Sequence, residues 1–185
     1  MDNDVSAGAT TTIVGRLALG ITLLAFGLGH TDVIDGVTAA DAVSIAHYVG
    51  GIALFVAGLM AFRDRDTANG TAFTALGALW FTWAVSDAGS ANAAGLFFLL
   101  FALVALSLTL AGGDQLGQGT YGLFLVSLVL MAIAAFADND GLAKVGGWFA
   151  VAAGAVAWYA ATAALAHWPT SLRGRAAGRG VTATG

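Results

Sequence analysis

Cysteine is missing from this chain, and so is glutamate; lysine occurs once, at Lys144, and proline once, at Pro169. Without cysteine there is no disulfide, no thiolate metal site and no cysteine nucleophile. A lone lysine near a helix end leaves none at mid-depth in any apolar run, which excludes a retinal Schiff base. Charge is scarce as well: 10% of residues are Asp, Glu, Lys or Arg, against about 25% in an average soluble domain. The net charge of −4 comes with no basic stripe for nucleic acid. Catalytic spacings are missing too. There is no Ser/His/Asp arrangement, no HExxH, no GxxxxGK and no dinucleotide fingerprint. The chain is therefore read as a non-enzyme with no cofactor and no metal. Its first apolar run lacks the basic flank and small-residue cleavage site of a signal peptide.

What is present is apolar sequence. Of 185 residues, 58% are hydrophobic, too many for water and well suited to lipid. A helix needs roughly 20 apolar residues to cross a hydrocarbon core about 30 Å thick. Six stretches qualify: Ile13–His30, Val43–Phe62, Thr71–Ser86, Ala93–Ala111, Tyr121–Ala137 and Leu142–His167. The third and fifth are short enough to be tilted. The gaps HTDVIDG, RDRDTANG, SDAGSAN, AGGDQLGQGT and DNDG are rich in Asp, Asn and Gly, which end helices and form turns. The expected fold is an all-α membrane bundle of six helices, three helical hairpins around a pore. Its membrane domain spans residues 12–168, after an N-terminal segment 1–11 and before a disordered Gly/Arg-rich tail 169–185.

The basic residues orient the spans. Arg16, Arg63, Arg65, Arg173, Arg175 and Arg179 share one side if the spans alternate, and Lys144 takes the other. Basic residues favour the cytoplasm, so both termini are expected there. A charge at mid-depth costs ~2.5–3.5 kcal/mol on insertion scales, and the spans hold almost no acid there. A pathway through them is lined by neutral groups.

Span two reads YVGGIALFVAGL and span six KVGGWFAVAAGA. Gly50 and Gly51 open the first motif; Gly51 and Gly58 align with Gly147 and Gly154 at a shift of 96 residues. Seven residues are nearly two turns, so each pair occupies one helix face where backbones approach closely. The same shift takes span one roughly onto span five. Hairpins one–two and five–six read as parallel repeats, with chance matching among Gly/Ala-rich helices as the alternative.

The stretch YVGGIALFVAGLMAFRDRDTANGTAFTALGALWFTWAVS resembles the acetate uptake transporter family, the bacterial succinate–acetate permeases and their fungal acetate/ammonium relatives. That family carries YGGxAQxxAGxxE, a loop, and TAFxSYGxFW, which includes the positions of Phe73 and Trp80. SLVLMAIAAF and GGWFAVAAGAVAWYAA fit its later segments. Several positions depart. The NPAPLGL signature falls on TTTIVGR at Thr10–Arg16, with only Gly15 in register. The family's Gln and Glu of span two are Leu54 and Ala61, and the Asn of the next loop is Asp66. The Phe, Tyr and Leu of its apolar constriction align with Leu19, Leu76 and Leu128.

The resemblance implies a channel or proton-coupled carrier for small monocarboxylates such as acetate, with succinate as a further substrate. It implies a multi-pass protein of the cell membrane, assembled as a homo-oligomer, a hexamer in the family, with a pore through each protomer. The lost Gln, Glu and Asn also admit a channel for ammonia or urea, or a non-transporting subunit of the same fold. A bare carboxylate entering hydrocarbon costs on the order of 20 kcal/mol, so a pathway must offer donors. Thr71, Thr74 and Thr82 form one stripe on span three, with Thr74 the favoured pore residue; threonines there can equally bond their own backbone. Trp80 is expected to pack the bundle, while Trp148 and Trp168 read as interfacial anchors. His30 and His47, at adjacent helix ends, weigh more as interfacial residues than as metal or haem ligands or pH gates. Asp32, Asp35 and Asp41 read as a solvated acidic loop.

Overall fold

The computed structural model describes residues 7–86 and 89–168. The tail 169–185, with Arg173, Arg175 and Arg179, lies outside the described residues, as do residues 1–6. The described residues form six long helices: α1 (Ala7–Thr31), α2 (Ala39–Arg63), α3 (Thr67–Val85), α4 (Ala91–Leu110), α5 (Gln115–Ala137) and α6 (Asp140–Leu165). Five of them are long and apolar enough to cross a membrane. The sixth, α3, has 19 residues, and Thr67, Asn69, Thr71, Thr74 and Thr82 dilute its hydropathy. Large apolar side chains such as Leu103, Leu110, Ile52 and Trp148 cover the outside of the bundle. In water that surface would be untenable; a multi-pass membrane protein presents it to lipid.

Side-chain caps set several of the boundaries. Asp66, Ser90, Asp114 and Asn139 each accept a hydrogen bond from the backbone N–H three residues on, opening α3 to α6. Each satisfies one donor that a helix start leaves free. The caps lengthen what apolar content alone outlines: α3 starts at Thr67 and α5 at Gln115, so neither helix is short. Among the described residues helix α1 runs from Ala7; residues 7–12 carry no charge, and Thr11 and Thr12 bond the carboxylates of Asp64 and Asp66.

The helices alternate in direction and close a ring in chain order, each packed on its neighbours, with the seam between α3 and α4 the loosest. The proximal end of the ring carries the starts of α1, α3 and α5; Thr11 there meets Asp64, and Arg16 meets Asp114. At the distal end Lys144 pairs with Asp32 at 2.9 Å. Both partners of that pair are well exposed, so it adds little.

Two seams have almost no side chain between the backbones. Where α1 crosses α6, a methyl added to Gly154 would lie 2.7 Å from the Leu24 nitrogen, and one on Gly147 2.9 Å from the Gly27 oxygen. Where α2 crosses α3, a methyl on Gly58 would lie 2.5 Å from the Thr74 nitrogen. Gly51 faces Phe81 on the same seam, and Gly50 turns inward against Thr22 and Trp80. The matched glycine pairs of α2 and α6 thus each serve the next helix round the ring. Residues Ala46–Ala53 of α2 are wound as a π-helix, a feature no pattern in the sequence announces.

Candidate functional site

One buried cluster fills the ring, and every helix contributes to it. Leu19, Leu23 and Phe26 come from α1, Leu54 from α2, and Phe73, Leu76 and Trp80 from α3. Phe101 and Ala105 of α4, Phe124 and Leu128 of α5, and Ala150 of α6 complete it. Two cavities adjoin it, one at the proximal end and one among its aromatic members. They share no lining residue.

The larger is a vestibule of about 400 Å³ at the proximal end. Its walls include Arg16, Asn69, Thr71, Asp114 and Tyr121, with Leu108 among the apolar residues. Arg16 reaches across from α1 to pair with Asp114. Asn69 donates to Asp66 at 2.6 Å and to Thr12 at 3.4 Å, so the polar wall is tied to the loop between α2 and α3. The polar residues that dilute the start of α3 are the ones that wet this vestibule.

The smaller is an aromatic chamber of about 10 Å³, lined by Phe26, Trp80, Trp83, Phe97, Phe98, Phe101, Phe124 and Leu128. That is room for at most a single water. The rings pack in T-shaped and stacked pairs, Phe26 on Trp80 at 5.3 Å and Trp80 on Phe124 at 5.7 Å, as their quadrupoles favour. Trp80 is 2% exposed, and its Nε1 has no hydrogen-bond partner among the described residues; Ser127 Oγ is likewise buried and unpartnered.

The residues singled out in the sequence fall at different levels. On α1, Leu19 follows Arg16 of the vestibule and precedes Phe26 of the chamber; on α3, Phe73 and Leu76 lie between Ala72 and Trp80. Leu19, Phe73 and Leu76 are all buried, so the segment between the two cavities is sealed. Leu128 is not level with them; it shares the chamber wall with Trp80. Thr74 faces α2, with its Oγ1 against Gly58, because a residue two before Leu76 points about 200° round the helix. Its placement between helices departs from the expected pore-facing stripe. Thr82 bonds the Ala78 carbonyl at 2.8 Å and lines an outer groove of α2 and α3. Of the three threonines, Thr71 reaches the vestibule.

The sequence reading missed the aromatic chamber and the vestibule role of Arg16. Phe97, Phe98 and Phe101 fall within one turn of α4, and Phe124 lies one turn before Leu128, which is the pattern that could have pointed there. His30 donates its Nδ1–H to the Phe26 carbonyl, 2.8 Å away, and packs on the Phe26 ring. His47 packs on Tyr48 and Phe81. Among the described residues no three His, Asp or Glu side chains are grouped to hold a metal.

The chain is similar to proteins of bacteria and fungi. The succinate-acetate/proton symporter SatP of Escherichia coli K12 is 28% identical over 162 residues, covering 80% of this chain and 84% of that protein. The glyoxylate pathway regulator of Yarrowia lipolytica is 25% identical over 169 residues, covering 83% of this chain. The chain spans 63% of that fungal protein's length. Ammonia transport outward protein 3 of Saccharomyces cerevisiae is 27% identical over 79% of this chain and 58% of its own length. The solved structure of the bacterial acetate channel SatP superposes with a TM-score of 0.78 at 24% identity, covering 88% of this chain and 93% of that one. It shares the six-helix fold. The sequence profile of the GPR1/FUN34/yaaH family matches residues 5–172, nearly the whole chain. The resemblance to acetate uptake transporters is thereby borne out, and this chain belongs to the GPR1/FUN34/yaaH family.

Proposed function

We propose that this protein conducts small monocarboxylates, acetate first, along the axis of its six-helix ring. The observation that carries the reading is the order of environments along that axis. A polar vestibule with one guanidinium leads to a sealed segment at Leu19 and Leu76, and then to an aromatic chamber with no charged residue in its wall. The vestibule offers donors to an ionised carboxylate. The apolar segment lets a small solute through only when side chains move. It fixes nothing tightly, which conduction requires. Membership of a family that includes a succinate-acetate/proton symporter supports the same substrate class. Leu19 and Leu76 are the proposed constriction, with Phe73 packed beside them, and Leu128 and Trp80 line the pathway beyond it in the chamber wall. The proposed assembly is a homo-oligomer, a hexamer by family resemblance, in the cell membrane with both termini cytoplasmic.

One observation favours a second reading. A chamber with room for one water, walled by aromatic rings, suits a neutral molecule such as ammonia. Uptake of labelled acetate into proteoliposomes separates the two. Saturable uptake that Leu128→Trp abolishes is the expected result. Rapid ammonia or urea flux without acetate uptake would replace the first reading by the second. Silence for all three solutes would leave a membrane subunit without a pathway.

A further inference from the structure

Arg16 is, among the described residues, the charged side chain set furthest from either end of its helix. It lies nine residues into α1 and about 9 Å inside the start of the apolar span at Thr10. An ionisable group at such depth is expensive and points to function, with its partner as the first question. The partner is Asp114, the residue that caps α5. Both line the 400 Å³ vestibule. The register of α1 here is fixed by its neighbour: a methyl on Gly15 would lie 2.2 Å from the Phe73 ring, so Gly15 is pressed against α3. Arg16 also occupies the last position of the TTTIVGR segment, where the resembled signature has leucine. The signature has no charge at that position.

We propose that Arg16 is a carboxylate-binding site in the vestibule, and that Asp114 is the competing carboxylate that keeps it from holding its ligand. This rests on the reading of the ring as a monocarboxylate pathway. A guanidinium has five N–H donors in a fork that matches one carboxylate in two bonds. Asp114 engages it through Nη2 alone, and its other oxygen is committed to the Gly117 N–H at 3.0 Å. The pair is therefore one-sided. A small carboxylate in the vestibule takes the free edge of the guanidinium, or displaces Asp114 and takes both bonds. Asp114, anchored as the cap of α5, stays within reach and returns when the anion leaves. Thr71 and Tyr121 stand in the same wall and offer neutral hydroxyl donors. Only hydrogen bonds are exchanged; no covalent bond is made or broken and no proton is transferred.

The test is equilibrium binding of labelled acetate to the purified full chain in lipid nanodiscs, alongside acetate and ammonia flux in proteoliposomes. Arg16→Leu is expected to weaken acetate binding by about tenfold or more, the scale of a charged hydrogen bond. It is expected to raise the half-saturating acetate concentration similarly while leaving ammonia flux unchanged. Arg16→Lys should fall between. Asp114→Asn retains a side-chain oxygen for the Gly117 N–H but not the competing charge, so it should tighten binding several-fold (~3–10-fold). Unchanged affinity in Arg16→Leu overturns the proposal. So does a loss of binding in Asp114→Asn equal to that in Arg16→Leu, or a parallel fall of acetate and ammonia flux, since either marks the pair as structural. Should Arg16→Leu not fold, Arg16→Lys and Asp114→Asn decide. If the native chain moves no carboxylate, the transport reading fails alone; the site then stands or falls on the binding measurement.

Discussion

Trp80 lies on Phe124 with ring centroids 5.7 Å apart and planes inclined by 24°, and its indole Nε1 is buried with no partner among the described residues. The stack closes the centre of the ring from two helices that are not neighbours in it. An indole bought for its area alone carries a donor that the apolar chamber leaves unsatisfied.

The balance of those two effects gives the first prediction. Trp80→Phe removes the orphan donor and retains one ring, so stability is expected to change by no more than about 1 kcal/mol. Trp80→Ala removes the ring and leaves a void, with an expected cost of about 3–5 kcal/mol. Thermal unfolding of the solubilised protein reads both. A Trp80→Phe variant as unstable as Trp80→Ala would show that the Nε1 has a partner of consequence.

Thr74 supplies the second. Its hydroxyl lies in the α2–α3 seam beside Gly58, where an added methyl would sit 2.3 Å from Oγ1. Thr74→Ala is therefore expected to leave acetate half-saturation unchanged. Gly58→Val should destabilise by about 1–3 kcal/mol through forced overpacking. A selective change of acetate affinity in Thr74→Ala, read by uptake kinetics, would return that side chain to the pathway.

The third compares two glycines. A methyl on Gly154 would meet the Leu24 backbone at 2.7 Å, whereas one on Gly119 of α5 meets nothing within 4 Å. Backbone cannot swing aside as a side chain can. Gly154→Ala is expected to lower stability by about 1–3 kcal/mol. Gly119→Ala should raise it by about 0.5–1 kcal/mol, the helix-propensity gain of alanine over glycine. Equal melting shifts of the same sign in the two variants would contradict the close α1–α6 approach.

The bundle was legible because lipid makes simple demands: a run of about 20 apolar residues is nearly sufficient evidence for a helix. Boundaries were less so. The first turns of α1 are tied to the loop between α2 and α3 by Thr11 and Thr12 reaching Asp64 and Asp66, more than fifty residues away, and no local pattern encodes that. The glycine pairs could be found, but not which helix each would face. Leu19, Leu76 and Leu128 were chosen as one ring by resemblance. Leu128 instead stands with Trp80, since α5 brings Phe124 and Leu128 together into the chamber wall. The chamber itself is assembled from four helices, and a single helix of it reads as ordinary core. In the sequence Arg16 marks only orientation; its pairing with Asp114, 98 residues away across the vestibule, exists only in the fold.

Asp66 carries the last prediction, because one carboxylate there does two tasks. Its Oδ1 accepts the Asn69 N–H at 3.1 Å and so caps α3; its Oδ2 accepts the Asn69 side-chain amide at 2.6 Å and the Thr12 hydroxyl at 3.4 Å, tying α1 to the same turn. Asp66→Ala removes the cap and the tie together, with an expected cost of about 1–2 kcal/mol. Asp66→Asn retains the capping oxygen but presents a donor in place of the second acceptor, facing the Asn69 amide. It should preserve the start of α3 and loosen the first turns of α1. Hydrogen exchange separates the two tasks: amides near Asn69 are expected to lose protection only in Asp66→Ala, and those following Thr12 in both variants. Protection that stays at the native level along α1 in both would mean that the proximal end of that helix is held without Asp66.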